Sequence, residues 1–337
     1  MTPSEIVKQL DQHVIGQTDA KKILAVAVYT HFRKTARAIS DAVELMKSNI
    51  LLVGPTGTGK TLLCETLSRI LSVPFVTADA ASLAQSEYVS NEVEAILQRL
   101  LDKANGDVSR AQRGVVFIDE VDKLKSVKGG TRASSGESVQ HALLKIMEGA
   151  QVKLRSGQYI DTTQILFVCG GAFVGLDEIL KDTQAFGFIS LSSSDNRRVL
   201  DTLNARVKPA DLRAFGLIPE FAGRLPIIAR LQDLSKEMLV RIMTEPKNSI
   251  YSQFRDMLKS DGVELRIEPL VFEQIAELAI EYQSGARSLR GIFEGLMTDI
   301  LYVTPDNPGI RTVLVTSLFE EAQFITDHGT ASVSVPR

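Results

Sequence analysis

Residues 54–61 read Gly-Pro-Thr-Gly-Thr-Gly-Lys-Thr, and this segment constrains the chain more than any other. Its glycines let the backbone curl so that N–H groups point at phosphate oxygens. Lys60 would reach the β- and γ-phosphates of a nucleotide, and the Thr61 hydroxyl would bind Mg²⁺. A glycine-rich turn without a function is the alternative interpretation. The residues expected around the phosphates are Gly54, Pro55, Thr56, Gly57, Thr58, Gly59, Lys60, Thr61 and Leu62.

The segments on either side of this loop decide between the two interpretations. Residues 48–53, Ser-Asn-Ile-Leu-Leu-Val, form a short apolar run that is typical of a buried strand. The helix expected after the loop would add its positive N-terminal end to a phosphate site. Its apolar residues recur at helical spacing, at Leu62, Leu63, Leu67, Ile70 and Leu71. The order of strand, loop and helix favours a phosphate-binding loop.

The composition narrows the class of protein. The 337 residues are 44% hydrophobic and 23% charged, as in a globular protein long enough for two domains. The net charge of −3 gives no general basic field for nucleic acid, although a local basic patch is compatible with it. The chain does not begin like a signal peptide, and no apolar run reaches membrane-spanning length. We therefore expect a cytoplasmic protein without membrane contact.

Cys64 and Cys169 are the two cysteines of the chain. Cys64 lies in the helix expected after the phosphate loop, and Cys169 ends an apolar run. Both positions predict buried thiols rather than a disulfide bridge or a metal site.

Two acidic residues follow a second apolar run. Residues 115–118, Val-Val-Phe-Ile, lead directly into Asp119 and Glu120. Such a strand delivers its carboxylates to the edge where open α/β sheets bind ligands. Asp119 could hold the Mg²⁺ shell through water, and Glu120 could polarise the water that attacks the γ-phosphate. A solvated acidic turn is the alternative, and the upstream phosphate loop favours the hydrolytic interpretation.

The order of elements predicts the fold class. Five apolar strand candidates are separated by helices and loops, which indicates an α/β fold with a doubly wound, five-stranded parallel sheet. From about residue 231 the pattern changes to a smaller, mostly helical α+β domain. We expect a large nucleotide-binding domain over residues 1–230, a small domain over 231–322 and a disordered tail over 323–337.

Three further segments lack a function that spacing alone can assign. Tyr88 precedes a predicted amphipathic helix, and packing against the start of that helix is its simplest interpretation. Residues 125–137 are polar and predict a mobile loop. Residues 183–204 form a polar region that contains Phe186, Gly187 and Phe188, and aromatic residues exposed there would call for a partner or a place in the core.

These residues resemble the AAA+ ATPases, and among them the ClpX protein unfoldases of the Clp/Hsp100 group. The resemblance covers nearly the whole chain, from residue 2 to about residue 318. The motifs that carry it lie at residues 14–17, 54–61, 116–120, 164–173, 215–226, 245–248 and 285–287. The fold class is then an AAA+ module.

The resemblance implies a homo-hexameric ring that binds ATP and Mg²⁺ between subunits. It assigns Arg224 as the arginine finger that reaches the neighbouring subunit's γ-phosphate, and Arg287 as the small-domain arginine that senses the nucleotide. A permanent charge on a planar fork suits both roles. From spacing alone, Arg224 would be a surface residue and Arg287 a salt bridge at a helix start. Val14 and Ile15 would pack on the adenine.

The resemblance also assigns residues that touch proteins. Tyr88 and Val89 would line the axial pore and grip a substrate polypeptide, with Arg132 in a second pore loop. The glycines that flank the aromatic pair in the family are replaced here by Glu87 and Ser90, which stiffens the loop and adds charge.

Three departures from the family concern its partners. The N-terminal zinc-binding domain is missing, so we expect no adaptor binding through it. The basic loop at the pore entrance is shortened, and only Lys153 and Arg155 remain. Phe186, Gly187 and Phe188 replace the usual Ile-Gly-Phe of the loop that docks on a ClpP-type peptidase.

Three functions follow from these observations. The first is an ATP-driven protein unfoldase and translocase that feeds a ClpP-type peptidase. The second is an AAA+ remodeller that takes protein complexes apart without a peptidase. The third is a nucleic-acid motor ATPase, which the weak net acidity and the lack of a clustered Lys/Arg face disfavour.

Overall fold

The computed structural model describes residues 1–38, 47, 49–86, 88–125, 131–185, 207–327 and 329–331. The chain forms two compact units. The first unit comprises Met1–Leu10, Gln17–Pro55 and Lys60–Leu231. The second comprises Asp11–Gly16, Thr56–Gly59 and Gln232–Arg337. The middle of the phosphate loop therefore groups with the second unit, which no sequence pattern predicted.

The first unit is built on a five-stranded parallel sheet with the order β2-β3-β6-β1-β7. The strands of this unit are β1 (Ile50–Val53), β2 (Phe75–Asp79), β3 (Val115–Asp119), β4 (Gln151–Lys153), β5 (Tyr159–Asp161), β6 (Leu166–Gly171) and β7 (Ile227–Arg230). The predicted α/β fold with five parallel strands is confirmed. The run predicted at residues 48–53 forms a strand that starts two residues later, and the run at 115–118 forms one that ends one residue later.

Helices cover both faces of this sheet. They are α1 (Pro3–Leu10), α2 (Thr18–Ala38), α3 (Lys60–Leu71), α4 (Ala80–Leu83), α5 (Val89–Lys103), α6 (Val108–Ala111), α7 (Thr131–Glu148), α8 (Leu176–Ala185), α9 (Pro209–Phe215) and α10 (Pro219–Gly223). Short 3-10 helices occur at Val121–Leu124 and Thr162–Gln164. In β1, an interior strand, Leu51 and Val53 pack into the core on the side of α5 and α7, and Ile50 and Leu52 point to the other face.

β4 and β5 form a separate antiparallel hairpin that the sequence did not reveal as strands. The turn is closed by two backbone bonds of 2.8 Å, from Leu154 to Gln158 and from Gly157 to Leu154. Gly157 has a φ of 83°, which favours glycine. Lys153 and Arg155, the basic residues left in the shortened loop, thus lie on a tight hairpin.

Helix α7 corrects one prediction. The polar segment 125–137 was expected to be a loop, but the helix begins at Thr131, so Arg132 is helical rather than part of a loop. Gly136 allows this, because a Cβ there would lie 2.7 Å from the carbonyl oxygen of Leu124. Close packing on the preceding 3-10 helix therefore overrides the low helix propensity of this Ser/Gly-rich stretch.

The second unit is a small α+β fold. Its elements are α11 (Lys236–Thr244), α12 (Ile250–Ser260), β8 (Glu264–Ile267), α13 (Pro269–Glu281), α14 (Arg287–Val303), β9 (Ile310–Val315), β10 (Gln323–Thr326) and β11 (Gly329–Ala331). Ser235 and Ser249 cap α11 and α12, because their side chains accept hydrogen bonds from the N–H groups of Met238 and Ser252. The apolar sides of the helices enclose Phe254, Phe272 and Phe293.

Strands β10 and β11 correct the predicted tail. Residues 323–337 were expected to be disordered, but β10 pairs antiparallel with β9 and with β11. Residues 328 and 332–337 of this predicted tail lie outside the described residues. Phe324 supplies the physical reason, because its side chain is buried in the small-unit core. Because β10 has four residues and one buried aromatic side chain, its hydrophobic pattern is too short to predict a strand in a polar C-terminal segment.

Among the described helices, none is long and apolar enough to span a membrane.

Candidate nucleotide-binding site

The phosphate loop leaves the sheet between two neighbouring strands that hold it on both sides. The Gly54 N–H donates to the Gly171 carbonyl at 3.1 Å, and the Leu231 N–H donates to the Val53 carbonyl at 2.7 Å. A Cβ on Gly54 would lie 2.8 Å from the Leu231 carbonyl oxygen. Glycine is therefore required where the loop begins.

Lys60 is the first residue of α3 and is buried. Its ammonium donates to the carbonyls of Gly54 at 2.6 Å and Pro55 at 3.0 Å, both at the start of its own loop. The positive charge thus lies over the backbone that would surround a phosphate. Phosphate oxygens are strong acceptors for such a cation, and they could replace these carbonyls.

Thr61 and Asp119 meet at the edge of the sheet. The Thr61 hydroxyl lies 3.4 Å from Asp119 Oδ2. Adjacent oxygen ligands of an octahedral Mg²⁺ are about 3 Å apart, since each lies about 2.1 Å from the ion. A hydroxyl and a carboxylate are also the donors that Mg²⁺ prefers. The two residues therefore fit the predicted metal position.

Glu120 has an unusual backbone. It adopts the left-handed conformation, with a φ of 58°, between the end of β3 and the following 3-10 helix. Its N–H donates to Asp119 Oδ1 at 2.9 Å. A non-glycine residue in this conformation is strained, and such strain concentrates at functional sites. The backbone strain at Glu120 therefore supports the functional role that its chemistry predicted.

Gly170 and Gly171 belong to the site, although the sequence analysis gave them no role in it. They end β6, which lies between the strands that carry the loop and the acids. A Cβ on Gly170 would lie 3.2 Å from Asp119 Oδ1, and one on Gly171 would lie 2.6 Å from Asp122 Oδ1. Side chains at these positions would displace the carboxylates, and the Gly-Gly pair at a strand end was the available signal.

The two cysteines are free and buried, as predicted. Burial raises the pKa of both thiols, so they remain protonated at neutral pH. They act as small apolar residues of the core, Cys64 within α3 and Cys169 within β6.

In the second unit, the middle of the phosphate loop contacts the turn before α14. The Ala286 N–H donates to the Gly57 carbonyl at 3.2 Å. A Cβ on Gly57 would lie 2.3 Å from the Ser284 carbonyl oxygen, and one on Gly285 would lie 3.0 Å from that of Thr56. Two glycines are needed for this approach, and both have positive φ.

This contact places the loop beside Arg287, the first residue of α14. The Arg287 side chain is exposed and has no salt bridge within the described residues, so the helix-start ion pair that spacing suggested is not seen. Val14 and Ile15 are buried in this unit. Their contact with adenine, and the role of Arg287, remain predictions.

Comparisons with known proteins agree over most of the chain. The family described as "AAA domain (Cdc48 subfamily)" matches residues 11–228, and "C-terminal, D2-small domain, of ClpB protein" matches residues 234–305. The "ATP-dependent Clp protease ATP-binding subunit ClpX" of Treponema denticola is 44% identical over 93% of this chain and 80% of its own length. The protein of the same name from Borrelia duttonii is 46% identical over 94% of this chain and 77% of its own length.

The chain belongs to the ClpX family of AAA+ ATPases. The resemblance inferred from its motifs is thereby confirmed, and so is its assignment as an ATPase.

Three residues that the ClpX resemblance singled out have clear surroundings in the first unit. Arg224 follows α10 and forms an ion pair with Glu148 at 2.7 Å. Tyr88 precedes α5, and 68% of its surface is exposed, so its expected packing against the helix start is wrong. Val89 instead packs partly against the core.

Other residues singled out by the ClpX resemblance are not defined by the structure. Phe186, Gly187 and Phe188 lie outside the described residues, and the Arg132 side chain is not described.

Proposed function

We propose that this chain assembles into a homo-hexameric ring that uses ATP to unfold proteins and to thread them through an axial pore. The observation that carries the proposal is the exposed aromatic ring of Tyr88 on an ATPase of the ClpX family. A large apolar side chain at an exposed helix start has no structural role in the subunit. It suits a residue that contacts another polypeptide.

The proposed hydrolytic chemistry divides among residues of one subunit. Lys60 and the loop N–H groups would bind the phosphates, while Thr61 and Asp119 would hold Mg²⁺. The ion, when bound, neutralises charge that develops on the phosphate oxygens. Glu120 orients and polarises the attacking water, because a carboxylate at the end of β3 can accept its proton.

The proposed site is completed by two arginines. Arg224 reaches the nucleotide of the neighbouring subunit, where its guanidinium stabilises negative charge in the transition state. Arg287 binds the phosphates of the nucleotide held by its own subunit. We assign Val14 and Ile15 to the adenine, because an apolar pair suits a flat aromatic base.

The proposed output of hydrolysis is movement of Tyr88. An aromatic paddle on a moving subunit can push an extended chain by steric contact, without recognising its sequence. Val89 and Arg132 would line the same pore. The relatives are named as subunits of an ATP-dependent protease, so we propose that this ring also delivers chains to a ClpP-type peptidase. The cytoplasm, where the free thiols would stay reduced, is its proposed location.

Substitution of Tyr88 tests the proposal. Tyr88→Ala should retain ATPase activity and ring assembly but lose the ATP-dependent unfolding of a fluorescent protein with an unstructured tail. Tyr88→Phe should retain unfolding, because the ring supplies the steric contact. Tyr302→Ala removes another tyrosine that is 63% exposed, and it is the matched control. Normal unfolding by Tyr88→Ala would exclude the proposed pore role.

A second experiment separates delivery to a peptidase from remodelling alone. Deletion of residues 186–188 should abolish degradation by an added ClpP-type peptidase while ATPase and unfolding persist. If degradation is unchanged, these residues do not dock the peptidase. If the intact protein unfolds substrates but never supports degradation, the peptidase-independent remodeller is the better description. DNA-stimulated, salt-sensitive ATPase activity would instead support the nucleic-acid motor.

A further inference from the structure

The Arg224 side chain is held by a carboxylate of its own subunit. Its Nε and Nη2 atoms both donate to Glu148 Oε1, at 2.8 and 2.7 Å. One edge of the guanidinium is thereby occupied, and Nη1 and the outer edge stay available for another acceptor. A planar guanidinium fixed along one edge presents the opposite donors in a defined direction.

Glu148 lies where a negative charge is unfavourable unless a cation is paired with it. It is the last residue of α7, where the helix dipole disfavours a negative charge. Gly149, with a φ of 105°, ends the helix directly after it. A neutral or basic residue would suit this helix end better. The pairing with Arg224 supplies the positive charge that the helix end lacks.

The Arg224 backbone is fixed as well. Asn49 is completely buried, and its Nδ2 donates to the Arg224 carbonyl at 3.1 Å and to the Met147 carbonyl at 3.3 Å. Its Oδ1 has no hydrogen-bond partner within the described part of the chain. A buried amide with an unpaired oxygen costs stability, so the bonds that its Nδ2 makes must offset this.

Asn49 also connects this anchor to the phosphate loop. It directly precedes β1, and β1 leads directly into Gly54. Lys47, two residues earlier, donates to the Thr162 and Ile146 carbonyls at 2.5 and 3.3 Å, and so ties the same stretch to the end of α7. The four-residue strand β1 thus connects Asn49, which holds the Arg224 backbone, to the loop proposed to bind the phosphates of the subunit's own nucleotide.

We propose that Glu148 is a positioning residue for Arg224, and that it holds the guanidinium in the orientation that serves the neighbouring subunit's nucleotide. The proposal rests on the finger role proposed above for Arg224. Without Glu148, the long arginine side chain would sample many rotamers and would reach the transition state less often. Position, rather than negative charge, is what Glu148 contributes.

Three substitutions separate position from charge. Glu148→Gln keeps the chain length and the Oε1 acceptor, and its kcat for ATP should stay within about two-fold of the wild-type value. Glu148→Asp keeps the charge but shortens the reach, and Glu148→Ala removes both. Each of these should lower kcat about five-fold with an unchanged KM for ATP, because the guanidinium would adopt the productive orientation less often. Both partners are about two-fifths exposed, so the variants should fold.

Asp177→Ala provides the matched control. Asp177 forms the same kind of exposed pair with Arg230 in the same unit, at 2.5 Å, and its loss should leave kcat unchanged. Trapping of ADP with aluminium fluoride adds a readout of the transition state. Glu148→Ala should weaken trapping, while the affinity for ADP alone should not change.

The double variant Glu148→Ala/Arg224→Ala should be no slower than Arg224→Ala. A further loss in the double variant would show that Glu148 acts independently of Arg224 and would overturn the proposal. A normal kcat for Glu148→Ala, measured when Arg224→Ala is inactive, would also overturn the proposal. The same holds if Glu148→Asp has a normal kcat while that of Glu148→Gln is lowered. Normal activity of Arg224→Ala itself would overturn the finger role, and the positioning role with it.

Discussion

The Thr61 hydroxyl and the Asp119 carboxylate lie 3.4 Å apart, although 58 residues separate them in the chain. One follows β1 and the other ends β3, and β6 lies between these two strands. Gly170 at the end of β6 leaves room for the Asp119 carboxylate, because a Cβ there would lie 3.2 Å from Asp119 Oδ1. The proposed Mg²⁺ site lies at this pair of residues, so the predictions below begin with that site.

Asp119→Asn should increase the Mg²⁺ concentration needed for half-maximal ATPase activity at least ten-fold. The amide keeps the size of the side chain but removes the negative charge that a hard divalent cation requires. A titration of the ATPase rate with MgCl₂ at saturating ATP measures the change. Asp177→Asn is the control, and it should behave like the wild type. An unchanged Mg²⁺ requirement in Asp119→Asn would remove Asp119 from the metal site.

Gly57→Ala should destabilise the protein more than Gly59→Ala. Both glycines have positive φ, at 81° and 100°, so either alanine is strained by about 1 kcal/mol. A Cβ on Gly57 would also lie 2.3 Å from the Ser284 carbonyl oxygen, whereas nothing lies within 4 Å of a Cβ on Gly59. Thermal unfolding without nucleotide compares the two variants. Equal melting temperatures would show that the loop does not pack on this turn.

Lys47 should make folding stability depend on pH. Burial lowers its pKa from 10.5 to about 7, and the nearby Asp161 opposes the shift only in part. Between pH 7 and 10.5 the unfolded chain binds a proton at Lys47 that the folded chain does not. The free energy of unfolding should therefore rise with pH in this interval, by on the order of a few kcal/mol, and this contribution should be flat below pH 7.

The comparison with Lys47→Met isolates this contribution. Urea unfolding at several pH values between 6 and 10 gives the slope for each protein, and other titrating groups cancel in the difference. The variant should lose the rise, whatever its absolute stability. Parallel curves for the two proteins would show that Lys47 keeps an ordinary pKa in the folded state.

Local patterns in the sequence were sufficient to predict the main sheet, the phosphate loop and the position of Asp119 at the end of a strand. Each of the five parallel strands contains a short apolar run, and the phosphate loop fixes its own conformation through its glycines. Asp119 was placed correctly at the strand edge because the carboxyl ends of parallel strands meet there.

Features that depend on distant contacts could not be predicted in this way. The three-residue strands of the β4–β5 hairpin and the short β10 are stabilised by pairing and by one buried residue, which leaves little periodicity. The ion pair of Arg224 with Glu148 joins residues 76 positions apart, and no local pattern marks it. The left-handed backbone of Glu120 is likewise imposed by the surrounding structure.

Hydrolysis by Glu120→Gln tests the central claim most directly. The amide preserves the size of the side chain but cannot accept a proton from water, and positioned bases typically contribute 10²–10⁴-fold to such reactions. In a single turnover with radiolabelled ATP, the variant should bind ATP and form rings like the wild type but release phosphate at least about 100-fold more slowly. Phosphate release at the wild-type rate would contradict the assignment of Glu120 and, with it, the proposed hydrolytic site.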